Sequence, residues 1–236
     1  MKIGVVIPVY NEVDNVDKLI NGLFALNIKD FFVVIVEDNS TDGTRMRIKE
    51  LSVKYPIHLI FRERKQGLGS AYRVGFKKAL DLGADSVVEM DADLSHNPLD
   101  IPFFIKEIQK GNDVVIGSRR IKGGKVLGWG LWRKFCSFSA GYFSGIILGV
   151  KVKDITSGFR AFRKEVFNKI DLDKIISNGF SFQEEMAYLC NKNGFKIKEI
   201  PVVFKDRVRG TSKLSFLEIF NFVKTIIKIR FTNYDS

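Results

Sequence analysis

Short apolar runs rich in β-branched residues alternate with stretches of helical periodicity through the first half of the chain. Five such runs predict strands, at residues 3–9, 31–36, 57–61, 86–90 and 114–117, and the first two are expected to be buried. Apolar residues at helical spacing or helix-start signals predict the helices between them, at residues 16–24, after residue 42, at 69–80 and at 98–109. Strands that alternate with helices of this length form βαβ units, so we expect an α/β fold around a mostly parallel sheet.

The second half of the chain is less regular. Its pattern predicts, in order, a glycine-rich loop at 123–130, an aromatic helix at 129–148, a polar turn region at 154–163, a helix at 182–189, a strand at 195–204, a basic loop at 207–213 and a long amphipathic helix at 214–231. The sequence contains no repeat, low-complexity tract or linker. We therefore expect one domain over residues 1–236, in which residues 1–118 and 119–236 have different tasks.

Charge is divided unevenly between these two halves. The net charge is +11; residues 1–118 carry 15 basic and 17 acidic side chains, whereas residues 119–236 carry 23 basic and 10 acidic side chains. A nearly neutral half joined to a strongly basic half indicates one face built for an anionic partner, which could be phosphate groups, a membrane surface or nucleic acid.

Composition also bears on the compartment. Two cysteines, Cys136 and Cys190, are too few for a disulfide scaffold, which favours a reducing compartment. The N-terminus lacks the pattern of a signal peptide. No uncharged stretch reaches the roughly 20 apolar residues that a transmembrane helix needs, so we expect none.

Polar clusters directly follow four of the predicted strands. They are Tyr10-Asn11-Glu12, Glu37-Asp38-Asn39, Asp91-Ala92-Asp93 and Ser118-Arg119. Ligands of parallel sheets bind beyond the carboxyl ends of the strands. The four clusters therefore predict one shared site.

Asp91 and Asp93 form the sharpest of these clusters. Two carboxylates one residue apart can both reach a hard divalent cation, whose remaining positions water and substrate phosphates can fill. The alternative is an acidic turn in which Asp93 caps a helix, although the polar residues at 94–98 favour the metal site. His96 could be a ligand, but a lone loop histidine more often makes a hydrogen bond or faces solvent, so it is left out of the expected set.

The polar turn from Glu37 to Thr44 lies between a predicted strand and a predicted helix. Such a turn can hold ribose hydroxyls or a base through a carboxylate, and ordinary turn and capping chemistry is the alternative. The sequence contains neither GxGxxG nor GxxxxGK[ST], which counts against a dinucleotide-binding fold and a P-loop.

Motifs from both halves follow one another in a recognisable order. The first four are Pro8-Val9-Tyr10-Asn11-Glu12, Val36-Glu37-Asp38-Asn39-Ser40-Thr41-Asp42-Gly43-Thr44, Gly67-Leu68-Gly69 and Met90-Asp91-Ala92-Asp93-Leu94-Ser95-His96. They resemble glycosyltransferase family 2, which has the GT-A fold, a mostly parallel central sheet with helices on both faces. Four later motifs resemble the polyprenol (dolichol) phosphate mannosyltransferases of that family: Gly117-Ser118-Arg119, Asp154-Ile155-Thr156-Ser157-Gly158-Phe159-Arg160, Phe182-Gln183-Glu184-Glu185 and Arg207-Val208-Arg209-Gly210-Thr211-Ser212-Lys213.

The resemblance implies a role for each matching position. The residues expected to hold the nucleoside are Pro8, Tyr10, Glu12, Val36 and Asp38. Asp91 and Asp93 would bind Mg²⁺ or Mn²⁺ against the donor diphosphate, with the Ala92 backbone nearby. The cations expected to hold phosphates are Arg119, Arg207 and Lys213, while Arg133 would face the acceptor phosphate. The catalytic set implied in this way is Asp91, Asp93, Arg119 and Arg207.

Two positions depart from the family pattern. Ser95 stands where some relatives place a glutamine that completes the metal shell, so this shorter ligand would act through water. Glu37-Asp38-Asn39 replaces the commoner Asp-Asp-Gly, which leaves the contribution of Glu37 open.

The implied activity is inverting, metal-dependent transfer of mannose from GDP-mannose to a polyprenyl (dolichyl) phosphate. Such an acceptor is already anionic near neutral pH, since a phosphate monoester has a second pKa of about 6, so it needs no general base. UDP-glucose or another sugar nucleotide is the alternative donor. A basic module that binds nucleic acid would explain the charge but not Asp91 and Asp93, so we expect no nucleic-acid partner.

The two apolar helices predicted in the basic half suit a membrane interface. The helix at 129–148 carries aromatic residues beside Arg133 and Lys134, and the helix at 214–231 has a wide apolar face. A core helix or a partner's helix is the alternative reading of each. We expect a peripheral protein on the cytoplasmic membrane surface, with a separate small membrane-anchoring subunit as an additional candidate partner.

Overall fold

The computed structural model describes residues 1–179, 181–206 and 216–234. The strands are β1 Ile3–Val9, β2 Phe31–Glu37, β3 Ile57–Phe61, β4 Ser86–Glu89, β5 Val114–Ser118, β6 Lys125–Leu127, β7 Arg160–Arg163, β8 Ile197–Pro201 and β9 Val203–Lys205. The α-helices are α1 Val13–Phe24, α2 Thr44–Lys54, α3 Leu68–Asp81, α4 Ile101–Gln109, α5 Leu131–Leu148, α6 Lys164–Lys169, α7 Phe182–Lys192 and α8 Phe216–Phe231. The five strands predicted in the first half are therefore confirmed to within about a residue.

Seven strands form one sheet in the order β3-β2-β1-β4-β7-β5-β8. The pairs β1–β2, β1–β4, β2–β3 and β5–β8 are parallel, which confirms the mostly parallel sheet. Because these strands run in one direction, the polar clusters at their carboxyl ends lie along one edge of the sheet.

Strand β7 is antiparallel to both of its neighbours, β4 and β5. The expectation of a polar turn region at 154–163 is therefore wrong for its last four residues. Ala161 and Phe162 are buried on opposite faces of the sheet, and Arg160 lies in register with Glu89, so a buried acid faces the buried base. The side chain of Arg160 is fully buried, so this basic residue does not belong to a solvated face.

The remaining differences also fall in the second half. The glycine-rich loop contains β6, and the strand expected at 195–204 divides at Val202 into β8 of the main sheet and β9, which pairs with β6. The aromatic helix starts at Leu131, so Trp129 precedes it. The basic loop at 207–213, with Arg207 and Lys213, lies outside the described residues.

Side chains of the sheet alternate between two apolar cores. Along β1, Ile3, Val5 and Ile7 join the core covered by α1, α2 and α4, whereas Val6 joins the core covered by α3, α6 and α7. Helices therefore cover both faces, as the resemblance implied. Helix α3 approaches β1 so closely that a Cβ at Gly75 would lie 2.2 Å from Val6 Cγ1, which explains the glycine there.

Helices α5 and α8 pack against each other and leave large apolar side chains exposed. On α5 these are Leu131, Trp132, Phe135, Phe138, Tyr142 and Ile146; on α8 they are Phe220, Ile227 and Phe231. We call this set the apolar surface. Among the described residues, no helix has both the length and the apolar character needed to cross a bilayer.

Candidate active site

The polar clusters after β1 and β2 are interlocked by hydrogen bonds. The Asn11 backbone N–H donates to Ser40 Oγ (3.0 Å), and the Thr41 N–H donates to Asn11 Oδ1 (2.9 Å). Asn11 and Asn39 take positive φ values of 56° and 60°, a conformation that asparagine tolerates better than most residues. The ends of the two strands are thereby held as one rim.

The residues expected to hold the nucleoside lie on this rim. Pro8 pairs with Val36 in the β1–β2 register, and Val36 is buried beneath the edge. Tyr10 is 39% exposed, and Lys65 Nζ lies 4.1 Å from the centre of its ring. Glu12 is half-buried at the start of α1. A ligand could therefore reach Pro8, Tyr10 and Glu12 of this set, with Lys65 beside the Tyr10 ring.

Asp38 forms a buried two-point ion pair with Arg62, which also donates to Ser70 Oγ (2.8 Å). The side chains of Asp38 and Arg62 are each 7% exposed. The sequence analysis missed Arg62, although it directly follows β3 and the strand-end rule would have found it there. The carboxylate of Asp38 therefore already has a cationic partner.

Glu37 is fully buried and stabilises the turn that precedes α2. Its carboxylate accepts from the Ser40 N–H and from Arg45 Nε (2.6 Å). Burial alone would raise the pKa of Glu37, but these hydrogen bonds outweigh it and hold the pKa below its usual range. The structure therefore gives Glu37 a role in shaping the rim.

Asp91 and Asp93 lie half-buried in the turn that follows β4. Tyr72 Oη donates to Asp91 Oδ1 (3.1 Å), and burial raises the pKa of Tyr72, which keeps its hydroxyl protonated. The Ser95 N–H donates to Asp93 Oδ1 (3.0 Å). Leu94 has a φ of 62°, an unfavourable conformation for a branched side chain, and such strain is concentrated at functional sites.

The donor atoms of this turn fit a hard divalent cation. The turn contains two carboxylates, and Ser95 Oγ is buried without a hydrogen-bond partner among the residues that the structure describes. All three groups are oxygen ligands of the kind that Mg²⁺ and Mn²⁺ take. Asp91, Asp93 and Ser95 are therefore suited to hold such an ion, with phosphate and water oxygens completing its shell.

His96 supports the turn from below. Its Nδ1 accepts the Asp91 backbone N–H (3.1 Å), so the ring is neutral with its proton on Nε2. The ring stacks on Phe159 at 4.8 Å, and burial lowers the pKa of His96. This contact agrees with the expectation of a hydrogen-bonding histidine.

Arg119 is held by the buried carboxylate of Asp154. Its backbone N–H and Nε both donate to Asp154 Oδ2 (2.8 Å), and Nη2 donates to Asp154 Oδ1 (2.7 Å) and to Thr156 Oγ1 (2.7 Å). Burial alone would raise the pKa of Asp154, but the hydrogen bonds from Arg119 lower it. The guanidinium also lies 5.4 Å from the Phe204 ring. Arg119 is thus fixed in direction, and a phosphate would meet a preorganised cation.

Arg133 lies in the first turn of α5 and contacts Trp129 and Asp206, the residue that follows β9. Its Nη1 bonds both carboxylate oxygens of Asp206 (2.8 and 3.0 Å), and its guanidinium covers the Trp129 ring at 4.2 Å. Its side chain is 30% exposed. Arg133 is therefore accessible next to the apolar surface, as an acceptor-facing residue must be.

A set of buried charges lies behind Asp91. Arg160 donates to the carbonyls of Ser157 (2.8 Å), Gln183 (2.8 Å) and Ile155 (2.6 Å), and its Nε is 3.7 Å from Glu89 Oε1. Burial raises the pKa of Glu89 to about 8 and that of Glu184 to about 7, against the opposing effect of Arg160. The sequence analysis assigned no role to Glu89 because it falls inside an apolar strand.

Comparison with known proteins places the chain in a family. The model of glycosyl transferase family 2 matches residues 4–171. An undecaprenyl-phosphate mannosyltransferase of Micrococcus luteus is 38% identical over 91% of this chain and 88% of its own length. A polyprenol monophosphomannose synthase of Mycolicibacterium smegmatis is 40% identical over 89% of this chain and 80% of its own. A dolichol-phosphate mannosyltransferase of Pyrococcus furiosus is 40% identical over 97% of this chain, which spans 64% of that relative.

A solved structure supports the same fold at lower identity. The glucosyl-3-phosphoglycerate synthase of Mycobacterium tuberculosis, in complex with Mn²⁺, UDP and phosphoglyceric acid, superposes with a TM-score of 0.73 at 18% identity. The match covers 100% of this chain and 80% of that protein. The architecture is thus that of the GT-A fold, and the chain belongs to glycosyltransferase family 2.

Proposed function

We propose that the protein transfers mannose from GDP-mannose to a polyprenyl phosphate, with inversion at the anomeric carbon. The observation that carries the proposal is the similarity, at 38–40% identity over most of the chain, to enzymes named for mannosyl transfer to undecaprenyl, polyprenol and dolichol phosphates. The arrangement of the rim, the Asp91–Asp93 turn and the basic half agrees with that chemistry. In this proposal residues 1–118 bind the donor and residues 119–236 the acceptor.

The donor half would bind the nucleotide across the rim and its diphosphate at the Asp91–Asp93 turn. A divalent cation bound there would neutralise the charge that develops on the departing diphosphate. Tyr72 and His96 keep the turn in shape through their hydrogen bonds to Asp91. Arg119 and, outside the described residues, Arg207 and Lys213 would supply the other phosphate contacts.

The acceptor would attack through an oxygen of its own phosphate. Since that oxygen is already ionised near neutral pH, no side chain has to remove a proton. Arg133 is proposed to orient the acceptor phosphate, because it is accessible and adjoins the apolar surface. Cations around the site would also offset the repulsion between the acceptor phosphate and the donor diphosphate.

The lipid tail of the acceptor implies work at a membrane surface. The apolar surface on α5 and α8 would enter the interface, and the exposed Lys134, Lys224 and Lys228 would meet anionic headgroups. We propose the cytoplasmic surface of the membrane, and we keep a separate anchoring subunit as a candidate partner for α5 and α8.

One experiment tests donor, acceptor and metal together. The purified chain is incubated with a short polyprenyl phosphate and, in parallel, with GDP-mannose, UDP-glucose and other sugar nucleotides, and the products are identified by mass spectrometry. We expect a mannosyl phospholipid from GDP-mannose, lost with EDTA and restored by Mg²⁺ or Mn²⁺. A product from UDP-glucose alone would establish the alternative donor, and turnover that persists in EDTA would refute the metal site.

A further inference from the structure

The side-chain amide of Gln183 is buried behind the Asp91–Asp93 turn without a hydrogen-bond partner. The residue is 3% exposed, and neither its Nε2 nor its Oε1 makes a hydrogen bond to any part of the chain that the structure describes. A buried amide without partners destabilises the folded state, because its desolvation is not offset by a hydrogen bond. Such a group in a native fold therefore calls for an explanation, and a bound ligand is one.

Gly158 shows where the amide points. A Cβ built on Gly158 would lie 3.6 Å from Gln183 Nε2, 3.9 Å from Asp91 Oδ2 and 3.9 Å from His96 Cε1, and these are its nearest neighbours. The glycine therefore leaves a gap whose walls are the Gln183 amide, the Asp91 carboxylate and the edge of the His96 ring. This gap adjoins the turn suited to the metal and the donor diphosphate.

The position of Gln183 is fixed on several sides. Its backbone carbonyl accepts from Arg160 Nη1 (2.8 Å). The preceding residue, Phe182, stacks on Tyr72 with ring centres 5.8 Å apart, and Tyr72 Oη donates to Asp91. The amide and the Asp91 carboxylate are thus held by one packed unit, which gives the gap a defined shape.

The chemistry of the gap suits a neutral hydroxyl better than a phosphate. An amide can donate and accept, as a hydroxyl can, whereas an ionised phosphate only accepts and would leave the amide oxygen without a donor. The two Glu89 oxygens, which lie close to this amide, likewise make no hydrogen bond of ordinary geometry within the described residues. In a sugar nucleotide, the atoms next to the metal-bound diphosphate are those of the sugar that is transferred.

We propose that the Gln183 amide hydrogen-bonds a hydroxyl of the sugar carried by the nucleotide donor, in the gap left by Gly158. This assignment rests on the proposed function for the identity of the sugar. It makes Gln183 a sugar-binding residue that distinguishes the sugar nucleotide from the bare nucleotide.

The first test separates sugar binding from nucleotide binding. Calorimetry with Mn²⁺ and without acceptor measures the Kd of GDP and of GDP-mannose for the wild type, Q183M and the control Q109M. Methionine keeps the length of glutamine and removes the amide, and Gln109 is exposed at the end of α4. We expect Q183M to weaken GDP-mannose about tenfold, with GDP unchanged within twofold, because a lost buried hydrogen bond affects the sugar alone. Q109M should resemble the wild type.

A second variant fills the gap without touching the amide. In G158A the new Cβ meets nothing closer than 3.6 Å, so the fold and the melting temperature should stay unchanged. The same methyl group would occupy space needed by the sugar, so GDP-mannose should bind more weakly while GDP does not. Mono-deoxy GDP-mannose analogues then identify the hydroxyl: the analogue lacking it should lose affinity in the wild type and lose little more in Q183M.

Each result decides the question. Equal affinities of wild type and Q183M for GDP-mannose would overturn the assignment, as would an equal weakening of GDP and GDP-mannose, which would place Gln183 at the diphosphate. If the donor panel shows that the wild type uses another sugar nucleotide, the proposed function fails separately. The same comparison is then made with that donor and its nucleoside diphosphate, and the prediction for Q183M and G158A is unchanged.

Discussion

Replacing Asp154 by asparagine tests the best-defined polar contact of the site. Asp154 is fully buried and receives three hydrogen bonds from Arg119 at 2.7–2.8 Å, while Arg120 Nε lies 3.7 Å from its Oδ1. The side chain of Arg119 is only 9% exposed. In D154N the shape remains, but both guanidinium groups lose their shared anion.

The expected loss of stability follows from that burial. Removing one partner of a buried ion pair costs about 3–5 kcal/mol. The asparagine oxygen still accepts a hydrogen bond, so we expect the lower end, about 3 kcal/mol. In a chain of this size, that corresponds to a fall in melting temperature of about 6–12 °C. Urea unfolding at pH 7, followed by circular dichroism, measures the free energy directly.

The control is D173N, which breaks the exposed Lys77–Asp173 pair and should leave the free energy of unfolding nearly unchanged. The pH dependence gives an independent check. Because the pKa of Asp154 is lowered in the folded state, its contribution is present above the unfolded pKa and is lost as the pH falls through the folded pKa. The difference in free energy of unfolding between wild type and D154N should therefore become smaller only in acid, below about pH 4. A D154N variant as stable at pH 7 as D173N would refute the reasoning.

Four further outcomes are expected. D93A should lose transfer and Mn²⁺ binding in the presence of GDP while keeping its unfolding midpoint; near-normal turnover in limiting Mn²⁺ would contradict the metal assignment. W132A should weaken co-sedimentation with anionic vesicles, since Trp132 is 73% exposed. W129A should instead lower stability, because Trp129 packs against Arg133 and Phe204; a vesicle defect confined to W129A would reverse this assignment. Burial raises the pKa of Glu184 to about 7, so the folded state holds its proton more tightly than the unfolded state. The free energy of unfolding of the wild type should therefore fall by up to about 3 kcal/mol relative to that of E184Q between pH 4.5 and pH 8. A difference between the two proteins that does not change with pH would disprove the raised pKa of Glu184.

The local pattern of apolar and polar residues was sufficient to predict the parallel strands of the sheet. Strands β1 and β2 are continuous apolar runs that lead into polar residues, as is typical of strands buried on both faces. Strands β3, β4 and β5 are shorter, and β3 is only partly buried, but each contains an apolar run. Strand β7 lacks this signal because two of its four residues are arginines. What makes Arg160–Arg163 a strand is pairing with β4 and β5, and the partner of Arg160 is Glu89, far away in the sequence.

The residues of the candidate site also fall into two groups, those that the sequence predicts and those that only the packed fold reveals. Strand ends and short motifs pointed to Asp38, Asp91 and Asp93, since these residues follow apolar runs directly. In the sequence, Gln183 is notable only as part of a family motif. The burial of its amide without a hydrogen-bond partner follows from the packing of the fold and cannot be predicted from the sequence. Tyr72 looks like one apolar residue among others on α3, and its hydrogen bond to Asp91 becomes visible only when α3 is packed on the sheet.

The antiparallel insertion of β7 has a consequence for how the chain can fold. Strand β5 is joined to β4 only through β7, so the sheet formed by residues 1–118 has a missing member between two of its own strands. During synthesis, β4 and β5 leave the ribosome before β7, so each has an unpaired edge until β7 is made. An unpaired edge can pair wrongly with a strand of another chain. The link between β4 and β5 can form only after Arg163, the last residue of β7, has left the ribosome. A fragment ending at Ser118 should therefore aggregate, while a fragment extended past β8 regains every strand of the main sheet.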